Sequence, residues 1–343
     1  MSTRTHRPRS RVALAALLGA SISCAHAPAA PAAPLPEVVW PAPPAAPRLR
    51  LVAVLPDPSA PPPRRSFWER LGEAIAGTTP EERTMARLVR PFGVAAAADG
   101  TIYVADPDAP GVLRLGPAGD LTPVTCRGRE WGAPMSVALG PAGELWIADA
   151  GAAEVVVVAT DGTCRALGTG ALERPTGLAL LDGRVVVADP PRHELAVLSP
   201  AGAVEAHWAG DPVADDPLHF PTAVASSADS VLVVDALNFR VLRLGPDGRR
   251  VASLGAPGEE GSGLARPKGV AEDAAGRVYV ADAQRDLVLV FDADGRFDYA
   301  AGASGAAPGE FRHPAGLAIV RDRLYVADSQ NGRVQVFAIL GGS

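Results

Sequence analysis

His313-Pro314-Ala315-Gly316-Leu317-Ala318, then Leu324-Tyr325-Val326-Ala327-Asp328, then Asn331-Gly332-Arg333-Val334-Gln335-Val336-Phe337, is the stretch that decides the fold. At intervals of 40 to 47 residues upstream the same phrase returns five times, with Pro91, Pro134, Pro175, Pro221 and Pro267 ahead of Asp106, Asp149, Asp189, Asp235 and Asp282. Self-similarity at this period marks an array of small units that bury their apolar faces on one another. In the fifth copy, Gly269-Val270-Ala271, Val278-Tyr279-Val280-Ala281, Leu287-Val288-Leu289-Val290-Phe291 and Arg296-Phe297-Asp298-Tyr299-Ala300 read as four short strands. Turn signals separate them: Ala275-Gly276, residues 282–286 and Asp294-Gly295. Four antiparallel strands joined by tight turns make one propeller blade, so the expected fold is all-β, a six-bladed β-propeller.

The sixth copy stops after its third strand, because Phe337-Ala338-Ile339-Leu340 is followed only by Gly341-Gly342-Ser343. An unpaired edge and an open seam would remain. Residues 48–55, Arg48-Leu49-Arg50-Leu51-Val52-Ala53-Val54-Leu55, form an apolar strand with no neighbour in sequence, similar to Arg249-Arg250-Val251-Ala252-Ser253-Leu254 of the fourth copy. They are expected to supply the missing outer strand and to close the ring. Between this strand and the first repeat, residues 64–90 change period. Ser66-Phe67-Trp68-Glu69 and Thr79-Pro80-Glu81-Glu82 each open a short helix, with Leu88 and Val89 at the end of the second apolar stripe. The expected organisation is a targeting segment over 1–23, an Ala/Pro-rich tether over 24–47 and a propeller over 48–340, with closing strand 48–55, helical insert 64–90 and six repeats over 90–340.

The chain holds 32 Lys and Arg against 38 Asp and Glu, and Lys268 is its only lysine. Four of the arginines, Arg4, Arg7, Arg9 and Arg11, fall in the first 23 residues, leaving 28 bases against the 38 acids in the remainder. An acidic body repels phosphate backbones and argues against a nucleic-acid partner. The four arginines form a charged n-region ahead of the apolar run 12–20, which is too short to span a bilayer. Ser21-Ile22-Ser23-Cys24 resembles a bacterial lipobox, which implies lipidation at Cys24, although Ser21 stands where that motif carries Leu, Val or Ile. A cut after Ala25-His26-Ala27 would give simple secretion instead, and an uncleaved anchor is the third reading. Cys126 and Cys164 could pair in an oxidising compartment. Their positions, late in one outer strand and early in the next, place them at opposite ends of neighbouring blades, so two free thiols are expected.

The phrases Arg266-Pro267-Lys268-Gly269-Val270-Ala271, Gly276-Arg277-Val278-Tyr279-Val280-Ala281-Asp282 and Asn331-Gly332-Arg333-Val334-Gln335-Val336-Phe337 resemble NHL repeats. The similarity runs over residues 90–340 and is strongest in repeats four to six. As a set, lipobox, proline tether and six blades resemble uncharacterised lipoproteins of Gram-negative bacteria. The resemblance implies the propeller and an outer-membrane or periplasmic address. It leaves function open, since NHL propellers include RNA binders, interaction modules, sensors and a metal-dependent lyase.

By propeller connectivity Asp106, Asp149, Asp189, Asp235, Asp282 and Asp328 share one face with the pre-proline residues Arg90, Arg174, Arg266 and His313. One reading makes them a channel-mouth ring for a ligand. The other has each Asp capping its turn and accepting hydrogen bonds from a basic neighbour, because a residue repeated with the fold serves the fold. His193, His207, His219 and His313 have no metal-ligand spacing. Ser136, Ser226, Ser227 and Ser329 lack a recognisable acid and base. Trp131, Trp146 and Trp208 read as blade filler, and no phosphate loop or dinucleotide fingerprint occurs. No catalytic residue, metal or cofactor is therefore assigned. The expected function is non-enzymatic: a monomeric, membrane-tethered scaffold whose loop face binds another envelope protein or a small ligand. A metal-dependent lyase or lactonase with its site at the central channel is the alternative.

Overall fold

The computed structural model describes residues 35–56, 87–109, 111–117, 119–211, 216–255 and 263–341. The targeting segment, Cys24, the first part of the tether and residues 64–86, where two helices are expected, lie outside these residues.

Six blades stand in chain order, each a four-stranded antiparallel sheet at its core. Blade one is Gly93–Ala96, Ile102–Asp106, Gly111–Leu115 and Leu121–Pro123, and blade two is Pro134–Leu139, Leu145–Asp149, Glu154–Val158 and Cys164–Leu167. Blade three is Gly177–Leu181, Arg184–Asp189, Glu194–Leu198 and Val204–Trp208, and blade four is Pro221–Ser227, Ser230–Asp235, Arg240–Leu244 and Arg250–Leu254. Blade five is Pro267–Glu272, Val278–Asp282, Leu287–Phe291 and Phe297–Ala301. Blade six is Pro314–Val320, Arg323–Asp328 and Arg333–Ile339, completed by Leu49–Leu55 from the other end of the chain. The closing strand thus pairs antiparallel as its sequence requires, with Leu49 opposite Ile339 and Leu55 opposite Val334. Among the described residues the only helices are three single 3-10 turns after the second strands of blades three, four and six.

Stability sits at the junctions between blades. The second strands are buried on both faces and read as unbroken apolar runs, as Val-Val-Val-Ala does in blade three. Six apolar clusters result, one between each pair of neighbours. The cluster between blades five and six takes in Leu49, Leu51 and Val54 of the closing strand with Tyr279, Phe311 and Phe337. The seam between blades six and one holds Val334 and Val336 against Val94 and Val104. Leu88, from the end of the insert, is buried in that seam, whereas Val89 stays exposed.

Innermost strands pack in ring order and close on themselves, the Gly316 amide donating to the Phe92 carbonyl across the seam at 2.7 Å. Glycine two residues after the proline permits this approach. A Cβ on Gly316 would meet that same carbonyl at 2.4 Å, and one on Gly269 would meet the Ala315 carbonyl at 2.1 Å.

Two features depart from the sequence reading. Val39–Trp40, inside the stretch read as tether, form a fifth strand on blade six, pairing with Arg50 and Leu49. Trp40 meets the Phe337 ring edge-on at 5.7 Å between centroids, so apolar packing outweighs the surrounding prolines. The second is a correction: Cys126 and Cys164 are joined in a disulfide, with Cα atoms 5.9 Å apart. The outer strand of blade one ends at Pro123, three residues before the cysteine. Cys126 therefore lies in a turn beyond the sheet, its carbonyl accepting from the Arg129 amide at 3.0 Å, and the strand-end argument against pairing does not apply to it.

Candidate ligand site at the channel mouth

The aspartate that ends each second strand is 0% exposed in all six blades. Burying a bare carboxylate is costly, so the partners decide its role. Asp106 accepts from the amides of Val89 and Arg90 at 2.7 and 3.0 Å, and Asp149 from Gly132 and Ala133 at 2.9 and 2.7 Å. Asp189 accepts from Glu173 and Arg174 at 2.8 and 2.9 Å, and Asp282 from Ala265 and Arg266 at 2.7 and 3.0 Å. Asp235 takes the His219 amide at 2.6 Å and Asp328 the Arg312 amide at 2.8 Å. Guanidinium groups complete several shells: Arg240 reaches Asp235 at 2.8 Å and Arg333 reaches Asp328 at 2.7 Å, with Arg192 at 3.7 Å from Asp189. Arg129 and Arg285 stand 4.0 Å from Asp149 and Asp282. Each carboxylate clamps the incoming pre-proline loop to its own blade, and in doing so positions Arg90, Arg174 and Arg266.

The pre-proline residues then differ. Arg90 is paired with Asp108 at 2.8 Å on the surface. His313, at a left-handed φ of 49°, donates its amide to Asp286 at 2.7 Å. Arg174 and Arg266 have no carboxylate within ion-pair distance among the described residues.

Between the innermost strands lies a central cavity of about 290 Å³, lined by all six blades. In several blades the residue after the proline is a one-residue bulge. Pro267 pairs with Asp282 and Gly269 with Ala281, which leaves Lys268 unpaired between them, and Met135 and Thr222 stand alike in blades two and four. A bulge re-aims the extra side chain. Lys268 lines the cavity, its ammonium 5.7 Å from the centre of the Phe92 ring of blade one. Desolvation, then the positive charges of Arg266 and Arg174, hold this amine below the usual lysine range. Thr222 also lines the cavity, is 6% exposed, and leaves its hydroxyl without a partner among the described residues. The corresponding Thr176 donates its hydroxyl to the Thr222 carbonyl at 2.9 Å. Glu272, at the far end of the same strand as Lys268, is held by Arg243 at 2.8 Å.

Lys268 and Thr222 line the cavity at positions that the repeat pattern hid. The signal was there: the only lysine of the chain stands where other blades carry Phe92, Met135, Thr176, Thr222 and Ala315.

Other candidates are satisfied locally. His193 and His219 come together with ring centroids 5.4 Å apart, and His193 Nδ1 accepts the Phe220 amide at 3.0 Å. His207 pairs with Glu194 at 2.8 Å. Ser226 donates to the Leu180 carbonyl at 2.8 Å, Ser227 accepts from Arg243 at 2.6 Å, Ser329 is buried and Ser136 lines the cavity. Trp146 and Trp208 are buried filler, and Trp131 is half-buried with its indole N–H on the Val124 carbonyl at 3.0 Å. Among the described residues no three His, Cys, Asp or Glu side chains converge on one point.

A closed ring of six four-stranded blades around a central channel is a six-bladed β-propeller, and its last blade carries a recognised repeat: the family model described as NHL repeat matches residues 311–337. No curated protein sequence matches the chain. Among solved structures it is similar to virginiamycin B lyase from Staphylococcus aureus, at 12% identity and a TM-score of 0.55, over 74% of this chain and 96% of that one. An auxiliary nutrient binding protein from Bacteroides thetaiotaomicron aligns at 10% identity and a TM-score of 0.59, over 74% and 69%. A putative gluconolactonase aligns at 15% and 0.57, over 75% and 91%. At these identities the likeness establishes the fold alone.

Proposed function

We propose that this chain is an exported, lipid-anchored propeller that binds a small ligand, or another envelope protein, at the loop face around the channel mouth, without transforming it. The observation that carries this reading is the division of charge on that face. The buried acids are spent on loop amides and arginines, while Lys268, Arg174 and Arg266 are left without carboxylate partners among the described residues. A site of that kind offers recognition, and among the described residues no acids cluster for a divalent metal. The nutrient binding protein of the same fold supports the reading by analogy, as the lyase and the putative gluconolactonase support a metal-dependent enzyme.

Export is supported by the charged n-region ahead of a short apolar run and by the disulfide, since such bonds persist in oxidising compartments. Cys24 is the proposed lipid attachment point, and Cys24→Ala is expected to move the protein from the membrane to the soluble fraction. No helix among the described residues is long and apolar enough to cross a membrane.

A thermal-shift screen of anionic, neutral and cationic small molecules, run with and without magnesium or zinc, tests binding against catalysis. The expected result is a metal-independent rise in melting temperature with the ligand recovered unchanged. Metal-dependent conversion of a lactone or of a lyase substrate would replace this reading with the enzymatic one.

A further inference from the structure

The pre-proline amides divide into two groups. Those of Arg90, Ala133, Arg174 and Arg266 donate to the second-strand aspartate of their own blade, at 2.7 to 3.0 Å. In blades four and six that aspartate is already crowded. Asp235 takes Asn238 and Arg240, each at 2.8 Å, and Asp328 takes Asn331 at 2.9 Å and Arg333 at 2.7 Å. Here the aspartate bonds the amide one place earlier, His219 or Arg312, and the pre-proline residue turns to a left-handed φ, 59° at Phe220 and 49° at His313. Its own amide then crosses to the preceding blade: Phe220 donates to His193 Nδ1 at 3.0 Å and His313 to Asp286 Oδ1 at 2.7 Å. His193 and Asp286 are equivalent, each four residues after a second-strand aspartate and itself left-handed, at 57° and 56°. That backbone is costly for residues other than glycine, so each bond holds two such residues in place across a blade junction.

The two acceptors answer acid differently. A carboxylate keeps its acceptor down to about pH 4, whereas an imidazole nitrogen that gains a proton becomes a donor, and the ordinary histidine value is about 6.5. Protonating His193 therefore sets its Nδ1–H against the Phe220 N–H. The groups around it do not offset this. From blade four the His219 ring stands 5.4 Å away between centroids, and a proton there adds like charge. On the element that carries His193, Arg192 is shared among Glu173, Asp189 and Glu194, and Glu194 also holds His207. Among the described residues no carboxylate lies within ion-pair distance of His193 or His219.

We propose that the bond from Phe220 to His193 is an acid-released latch: with the ring neutral it ties the mouth loop of blade four to blade three, and with the ring protonated the loop carrying His219 and Phe220 parts from blade three, while Asp286 keeps blade six latched to blade five. The device goes beyond ligand binding, since it sets the shape of one side of the mouth whatever the channel holds.

The two latches give the test an internal control. Amide hydrogen exchange of the full chain is read by NMR at pH 8 and pH 5 and expressed as protection over the intrinsic rate at each pH. The Phe220 amide is expected to lose about tenfold in protection on acidification, the equivalent of one hydrogen bond, and the His313 amide to keep its protection within about twofold. Exchanging the acceptors should move the property. His193→Asp is expected to leave Phe220 protection the same at both pH values, and Asp286→His to transfer the acid lability to His313. Each substitution places a side chain that the equivalent position already carries, and melting temperatures confirm that the variants fold. Equal protection of Phe220 at the two pH values in wild type overturns the latch. Loss at both amides in wild type, or acid lability at Phe220 that survives His193→Asp, assigns the change to another group and overturns it as well.

Discussion

A buried carboxylate and a buried ammonium face the same desolvation cost, and this propeller treats them in opposite ways. Asp328 is surrounded by donors: the Arg312 amide at 2.8 Å, Asn331 at 2.9 Å, Arg333 at 2.7 Å and Gln335 at 3.0 Å. Removing it with Asp328→Ala strands these donors and leaves a largely buried guanidinium unpaired, with an expected cost of about 3 kcal/mol in denaturant unfolding. Asp294→Ala, at an exposed turn pair, is the control and should leave the midpoint unchanged. Lys268 has no such shell among the described residues. Its proton affinity is lowered in the folded state, so the unfolded chain binds more protons between the folded value and the ordinary lysine value near 10.5, and stability rises with pH through that window. Lys268→Met is therefore expected to melt higher than wild type at neutral pH, the difference shrinking toward zero as pH approaches 10.5. A difference that stays constant from pH 7 to 10.5 would show that the amine is not desolvated. The same contrast explains what the sequence disclosed. The aspartates repeat, and repetition made them legible, along with the loops they hold. Lys268 occurs once, inside a strand phrase, and only the bulge after Pro267 reveals that it points at the channel.

At the scale of single elements, the weakest sheet is the outer edge of blade one, whose last strand, Leu121–Pro123, has three residues where most other outer strands have five or more. The disulfide acts beside it. Cys126 is 6% exposed in the turn that follows, and Cys164, at the start of the outer strand of blade two, is packed against the cluster that joins the two blades. A bond spanning 38 residues of chain restricts the unfolded state, and the chain-entropy estimate for such a loop is about 3–4 kcal/mol. The Cys126→Ala, Cys164→Ala double variant is expected to lose about that much, and reductant should lower the midpoint of wild type but not of the variant. Equal midpoints with and without reductant would mean that the bond adds nothing to the junction. Sequence reasoning missed this pair because it assigned Cys126 to a full-length outer strand. Strand length is set by what packs outside the blade, and periodicity carries no record of that. The adjacency of His193 and His219 was hidden similarly, since it arises across a blade junction rather than along the chain.

For the whole molecule, closure decides whether six blades make one protein. The closing strand brings residues almost 300 positions apart in sequence into register, Leu49 opposite Ile339, and it ties blade six to blade five as well: Arg48 pairs with Asp298 and sits 5.0 Å over the Tyr299 ring. Without residues 35–55, Phe337 and Ile339 lose Leu49, Leu51 and Trp40, and the Arg333–Ile339 strand presents an apolar edge to solvent. Such an edge is a template for pairing with another chain. Contacts this distant also cost loop-closure entropy before they give anything back, so folding of the intact chain is expected to be slow and cooperative. A chain lacking residues 35–55 should therefore elute as oligomers or aggregate on concentration. A synthetic peptide of residues 35–56, added during refolding, should restore the sedimentation behaviour of the full chain by filling the vacant edge, and the same peptide with Leu49→Asp and Leu51→Asp should not, because both positions are buried. Sedimentation velocity reads the outcome. A truncated chain that sediments like the full protein, with the same melting temperature, would mean that five complete blades and an open seam suffice, and the closing strand would then have no part in holding the ring shut.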